Sequence, residues 1–351
     1  MLSSKDEAMK ICMIGGTGTI STEISKKLLR EGHELYVLNL TGLSDVLGDA
    51  PLYIQADING DIESLKDALD EAAPGVIFDA VCQFVGYERW QVERDYELFK
   101  DCCLQYVYIS SASAYCKPVP AGFITEETPL INPFWQYSRN KIDCENFLME
   151  RYREDGFPVT IVRPSHTYNE RKVPLGLNGH KGSYQVLDRM LRGKPVLIHG
   201  DGTTWWTMTD SRDFAVGYVG LLGKEEAIGE ALQITSDESI TWNEIFQTLA
   251  DLLGVELKAV HVSSYTLAEL GARAGYDFEG ELLGDKTYTV KFDNSKIKKL
   301  VPEFNPQISF AEGMKRTVEY VLSHEECQQL DPEFDQWCDD VINFREQLLV
   351  K

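Results

Sequence analysis

A chain of 351 residues, 43% of them hydrophobic, has the material for a large core in one or two closely joined domains. Its net charge of −22 excludes the usual electrostatics of a nucleic-acid partner, which runs on clustered Lys and Arg, and disfavours an anionic membrane surface. The start MLSSKDEAMK has no apolar signal core, and the eight cysteines are scattered without a C-x-x-C pair, so the expectation is a cytoplasmic protein with reduced thiols and no membrane span.

Lys10 to Gly16 reads as a short buried strand. It runs into GGTGTIS, where Gly15 and Gly18 are spaced G-x-x-G, and then into a helix with Ile20, Ile24 and Leu28 on one face. Strand, glycine turn and helix together offer backbone N–H groups and a positive helix end to a pyrophosphate. Ser21 stands where the third glycine of that pattern usually lies. Glu34 to Leu40 is a second strand. Its end carries Asn39 where an acidic residue would hold the adenosine ribose. An amide bonds a hydroxyl but excludes a 2′-phosphate less firmly, and no Arg or Lys lies between Asn39 and Val46 to grip one. NAD is favoured, and NADP stays open.

Strands and helices then alternate. Leu52 to Ala56 is a strand, followed by Asp57 and a helix with Ile62, Leu65 and Leu69 inward. Gly75 to Val81 reads as a strand, Tyr87 to Cys103 as an amphipathic helix and Gln105 to Ser110 as another strand. This predicts an α/β fold, a Rossmann-type doubly wound parallel sheet, with ligands beyond the carboxyl ends of its strands. Ser111 follows the strand YVYIS and so falls near the expected nicotinamide position. Tyr137 and Lys141, within WQYSRNKIDCE, lie one helical turn apart on one face. Such a pair alone is common. An ammonium beside a phenol favours the phenolate, so with a hydroxyl to orient a substrate oxygen the three residues form a hydride-transfer set.

GGTGTIS, ISSASAY, YSRNK and IVRPSHTY, in this order, resemble an extended or atypical short-chain dehydrogenase/reductase of the NAD-dependent epimerase/dehydratase family, over about residues 10 to 325. The resemblance implies that Ser111, Tyr137 and Lys141 are the catalytic triad and that Lys141 also contacts the nicotinamide ribose. It implies that Gly15, Gly18 and the turn Thr17, Thr19, Ile20 hold the pyrophosphate, that Asp57 and Ile58 flank the adenine, and that Pro164 to His166 close over the nicotinamide. It also implies a homodimer through the helices of Tyr87 to Cys103 and Pro133 to Arg153.

Beyond Arg163 the chain turns irregular and glycine-rich. Asn169 to Ser183 is expected to line the substrate pocket. His166 and His180 have no metal-ligand spacing, and no metal site is expected. After the strand and turn of Pro195 to Gly202, relatives that bind nucleotide sugars usually carry an arginine for the diphosphate. Here Trp205 and Trp206 stand in that place, placed to stack on a sugar or to pack a core, with Arg212 and Lys286 as substitute cations. Thr241 to Gly254 is a helix with Thr241 and Glu244 in capping-box spacing. Asp331 to Lys351 forms an acidic helix or tail, docked or facing a partner through Trp337, Val341, Ile342 and Phe344. The expected division is a cofactor domain at 1–165, a substrate lobe at 166–330 partly interleaved with it, and the terminal segment 331–351.

The function expected is an NAD(P)-dependent epimerase or oxidoreductase acting on a sugar or sugar nucleotide, with Ser113, Asn169, Trp205, Trp206 and Arg212 toward the substrate. Dehydration needs an Asp/Glu pair after Ser111, where the chain reads Ala112 and Ser113. The alternative is a non-catalytic nucleotide- or RNA-associated protein on the same scaffold, like the chloroplast stem-loop-binding branch. The acidic charge speaks against RNA.

Overall fold

The computed structural model describes residues 8–119 and 122–349. Its first half alternates β1 (Lys10–Ile14), α1 (Ser21–Arg30), β2 (Glu34–Asn39), β3 (Leu52–Gln55), α2 (Ile62–Ala72), β4 (Ala80–Gln83), α3 (Arg89–Phe99), β5 (Tyr106–Ile109), α4 (Gln136–Asp155) and β6 (Val159–Pro164). The second half adds β7 (His166–Tyr168), α5 (Tyr184–Leu191), β8 (Val196–His199), β9 (Trp205–Trp206), β10 (Met208–Asp210), α6 (Ser211–Leu221) and β11 (Ala231–Ile234). Then come β12 (Ile240–Thr241), α7 (Trp242–Leu253), β13 (Ala259–Val262), α8 (Ser264–Arg273), a π-helical stretch Glu279–Lys286, α9 (Ser295–Leu300), α10 (Phe310–Ser323) and α11 (Pro332–Leu349).

Seven strands form one sheet in the order β3-β2-β1-β4-β5-β6-β11, every neighbour parallel. Side chains alternate across a strand, so β1 feeds two cores at once. Ile11 and Met13 pack with Ile24 and Leu28 of α1 and with Phe214 and Tyr218 of α6. Cys12 and Ile14 pack with Leu65, Val92, Phe99 and Leu148 on the other face. The doubly wound sheet expected from the sequence is the one found. The seventh strand arrives from residues 231–234, so the chain returns to the sheet after the first excursion into the lobe.

One boundary moves. The run from Gly75 joins the sheet only at Ala80, because Gly75 turns the chain at φ +66° and Asp79 is the first residue to meet β1. There the Asp79 N–H donates to Lys10 O at 2.8 Å, and the Lys10 N–H donates to its carboxylate at 2.7 Å.

A third core fills the lobe around Trp206, Trp242, Leu249 and Phe334. The Thr241 hydroxyl accepts from Glu244 N at 3.2 Å, while the Glu244 carboxylate takes the Thr241 N–H at 2.7 Å, closing the capping box expected for α7. The terminal helix α11 is docked on this lobe. Trp337, Val341 and Ile342 are buried, and only Phe344 of the expected apolar positions faces out. Arg189, fully buried, reaches Asp335 at 2.6 Å and Asp339 at 2.8 Å on α11. Among the described residues no helix is long and apolar enough to cross a membrane.

Candidate active site

Ser111 follows β5 at the carboxyl edge, and the short helical turn Ala112–Ala114 folds back beneath it. Its Oγ accepts the Ser113 N–H at 3.1 Å and lies 2.8 Å from the Ser113 hydroxyl. Ser138, on the first turn of α4, donates to Ser113 Oγ at 2.7 Å. The three hydroxyls form one hydrogen-bonded chain, in which either Ser111 or Ser113 can donate the bond between them. Tyr137 precedes Ser138 on the same helix, and the Ser111 hydroxyl bonds its phenol.

Lys141 sits one turn further and is 1% exposed. Its Nζ donates to Gly86 O at 2.7 Å and to Ile109 O at 2.8 Å. It lies 4.9 to 5.7 Å from the ring centres of Tyr108, Tyr87 and Tyr137, a cation held by carbonyls and aromatic faces. A further turn along, Glu145 pairs with Arg163 of β6 at 2.5 Å, and Arg163 Nη1 reaches the Tyr115 hydroxyl at 3.2 Å. This buried pair ties α4 to the sheet and so fixes where Tyr137 and Lys141 point.

The electrostatics correct one expectation. Burial pushes the Tyr137 phenol up to about 12; the Ser111 bond opposes it, and Tyr87 and Asp285 add to it. Burial also lowers Lys141 to about 8. The ammonium is near Tyr137, as the helical spacing requires, but the largest influence on the phenol is its own loss of water.

Ser111, Ser113, Tyr137, Pro164, His166 and Trp206 line one cavity of about 250 Å³. Ala112, Trp135, Ser165, Asp285, Lys286 and Val290 complete it. The Trp206 indole N–H donates to His166 Nδ1 at 3.2 Å, so the imidazole is the neutral Nε2–H tautomer, and burial lowers its pKa to about 3. Three residues expected at the substrate lie elsewhere. Asn169 is buried, its side chain accepting from Arg171 N at 3.0 Å. Trp205 is 40% exposed, with Lys291 Nζ 3.9 Å from its ring centre. Arg212 is committed to Asp210 at 3.0 Å, which it shares with Arg316. The loop after Asn169 lines a different cavity, of about 240 Å³, with Arg171, Lys172, Lys181 and Tyr184. Asp285 and Trp135 were missed: neither belongs to a recognisable spacing.

The residues expected at the cofactor lie at the carboxyl edge, after β1, β2, β3 and β6. Gly15 has φ +83°, and a Cβ there would meet Val85 at 2.7 Å, so the fold itself requires it. Gly18 is different. A Cβ there meets only Ser21 Oγ at 3.4 Å, an ordinary contact, in an exposed turn with Thr17, Thr19 and Ile20 ahead of α1. Ser21, in the place of the third glycine, accepts from Gly18 N at 2.8 Å and donates to Gly15 O at 2.6 Å, pinning the turn. The open space over Gly18 at a helix N-terminus fits a pyrophosphate. Asn39 Oδ1 accepts the Gly42 N–H at 2.7 Å, so its remaining groups toward a ribose are N–H donors. Asp57 is exposed, its carboxylate accepting from Asn59 N at 2.9 Å, and the Ile58 carbonyl takes a bond from Arg94.

Comparison with known proteins places this geometry. An uncharacterized UDP-glucose epimerase of Bacillus subtilis is 23% identical over 90% of this chain and 98% of its own. A chloroplast stem-loop binding protein of 41 kDa from Arabidopsis thaliana is 24% identical over 89% of this chain and 79% of its own. The UDP-glucuronic acid 4-epimerase of Bacillus cereus, solved with UDP-glucuronic acid and NAD, superposes with a TM-score of 0.69 at 20% identity, covering 90% of this chain and 99% of that one. The profile of the NAD dependent epimerase/dehydratase family matches residues 11–235, from β1 through β11. The chain belongs to the NAD dependent epimerase/dehydratase family, an enzyme of the extended short-chain dehydrogenase/reductase type.

Proposed function

We propose that this protein is an NAD-dependent epimerase or oxidoreductase that moves a hydride at a hydroxyl- or keto-bearing carbon of a sugar or sugar nucleotide. The observation that carries the reading is the meeting of Ser111 and Tyr137 in one cavity, with Lys141 fixed beneath Tyr137. NAD, when bound over Gly15 to Ile20, supplies the hydride acceptor and a positive nicotinamide ring. Ser111 donates its hydrogen to the substrate oxygen. Tyr137, whose pKa the positive charges of the loaded site would bring down from about 12, takes the hydroxyl proton when the carbon is oxidised and returns it when the ketone is reduced. Lys141 holds positive charge near the phenolate and opposes the cost of burying it.

Pro164 and His166 line the same cavity, which supports a role for them in closing over the nicotinamide. His166 is neutral there and offers no cation to a substrate. Two of these relatives are named as epimerases of sugar nucleotides, which supports a substrate of that kind. The proposed dimer uses the outer faces of α3 and α4.

The test is reduction of NAD by the purified protein with UDP-glucose, UDP-galactose, dTDP-glucose and UDP-glucuronate, followed by reduced-nicotinamide absorbance and by product analysis. Turnover in the native protein and its loss in Tyr137→Phe support the proposal; equal rates in the two remove the tyrosine from the mechanism. The stem-loop binding relative favours a second reading, a nucleic-acid-associated protein. A salt-sensitive shift of RNA together with no NAD binding would select it.

A further inference from the structure

The cavity that holds Ser111 and Tyr137 also holds a carboxylate for which the catalytic scheme has no use, that of Asp285. It stands near the end of the π-helical stretch Glu279–Lys286, well beyond the residues matched by the family profile. Such turns are rare and concentrate at functional sites. Lys117 Nζ meets Asp285 Oδ1 at 2.9 Å, and the lysine side chain is 2% exposed. The other bonds of that ammonium go to the carbonyls of Ala112 at 3.1 Å and Tyr115 at 3.4 Å. Asp285 is therefore tied to the same turn that positions Ser111, with its direction set by a buried partner. Its side chain keeps 13% exposure on the cavity it lines.

The remaining walls are balanced or flat. Lys286 Nζ pairs with Glu281 at 3.0 Å and lies 5.3 Å from the centre of the Trp135 ring. Trp206 is 2% exposed and packs at a tilt, ring centres 5.3 Å apart, on the fully buried Trp242, so that wall is backed by core. Of these four charged groups only Asp285 and Lys286 line the cavity, and each is already paired, so the walls leave no unpaired cation for an anionic ring. Indole faces suit the C–H face of a saturated ring, and a fixed carboxylate suits a hydroxyl donor.

We propose that Asp285 is a specificity-determining substrate residue: it accepts a hydrogen bond from a hydroxyl beside the reacting carbon. The ring bound here is then neutral and polyhydroxylated rather than a uronate or a ring phosphate. This rests on the proposed function, whose failure shows separately as failure to bind NAD.

The experiment uses the full chain with saturating NAD. It reads quenching of tryptophan fluorescence by D-glucose and D-galactose and by the matching uronates, D-glucuronate and D-galacturonate. The expected result is saturable binding of a neutral sugar at about tenfold lower concentration than its uronate. Asp285→Asn weakens that binding about ten- to a hundredfold, the range for a hydrogen bond to a charged group, and narrows the preference. Since Asp285→Asn leaves Lys117 buried without its partner, the double variant Lys117→Met/Asp285→Asn is measured beside it, and the same loss is expected. Equal or tighter binding of the uronate, no saturable quenching by either neutral sugar, or an unchanged affinity in both variants overturns the proposal.

Discussion

The carboxyl edge of the sheet and the wall contributed by the lobe meet in one cavity but are built in different ways. At the edge, each residue is placed by local geometry: Ser111 by the end of β5, Tyr137 and Lys141 by one turn of α4, Gly18 by the turn before α1. The lobe wall takes Trp206 from a two-residue strand, Asp285 and Lys286 from a π-helical stretch, and Val290 from the loop beyond it. The edge can therefore fix the chemistry while the wall varies with the substrate. Substitutions at the edge should stop the reaction in any substrate, whereas those in the wall should change which substrate is held.

The largest effect expected is at Tyr137. Tyr137→Phe should lower kcat by about a hundred- to ten-thousandfold, the weight of a positioned acid/base, with NAD affinity unchanged; a kinetic comparison with the native protein checks it. Gly18→Val comes next. The fold leaves room for a side chain there, so this variant should keep its thermal stability and lose NAD affinity by about a hundredfold or more, by filling the space a pyrophosphate needs. Unaltered affinity by calorimetry would show that the turn is not the site.

Lys141 joins the two regions to pH. Its pKa is near 8 in the folded chain, below that of an unfolded lysine, so below pH 8 the folded state carries a buried charge at a cost. Between pH 8 and about 10.5 the unfolded chain holds the proton that the folded one has released, and stability rises with pH. The native protein should therefore gain stability relative to Lys141→Met across that window, and a constant difference in denaturation midpoints would contradict it. The smallest effect serves as a control in the lobe. Thr241→Ala removes the cap of α7, which should cost about 1 kcal/mol by denaturant unfolding and leave kcat untouched.

Much of the edge was legible in the sequence for the same physical reason that it is locally built. Short continuous apolar runs placed β1, β2 and β5, and a four-residue spacing placed Tyr137 over Lys141. Burial is a tertiary property, and the four-residue spacing says nothing of the desolvation that drives Tyr137 up and Lys141 down. In the lobe, Trp205 and Trp206 were visible as a pair, but strand alternation sends them to opposite sides: Trp206 into the cavity wall, Trp205 outward beneath Lys291. Arg212 was visible as a substitute cation and is committed to Asp210. Asp285 gives no sequence signal at all, since its partner Lys117 lies 168 positions away and only the fold brings them together.

The most direct test of the central claim is to denature the purified protein, identify by mass spectrometry any nucleotide released, and titrate the emptied, refolded native and Gly18→Val chains with NAD and NADP. The account predicts that the native chain binds NAD at one site per chain and that Gly18→Val does not. A native chain that binds neither nucleotide would contradict it.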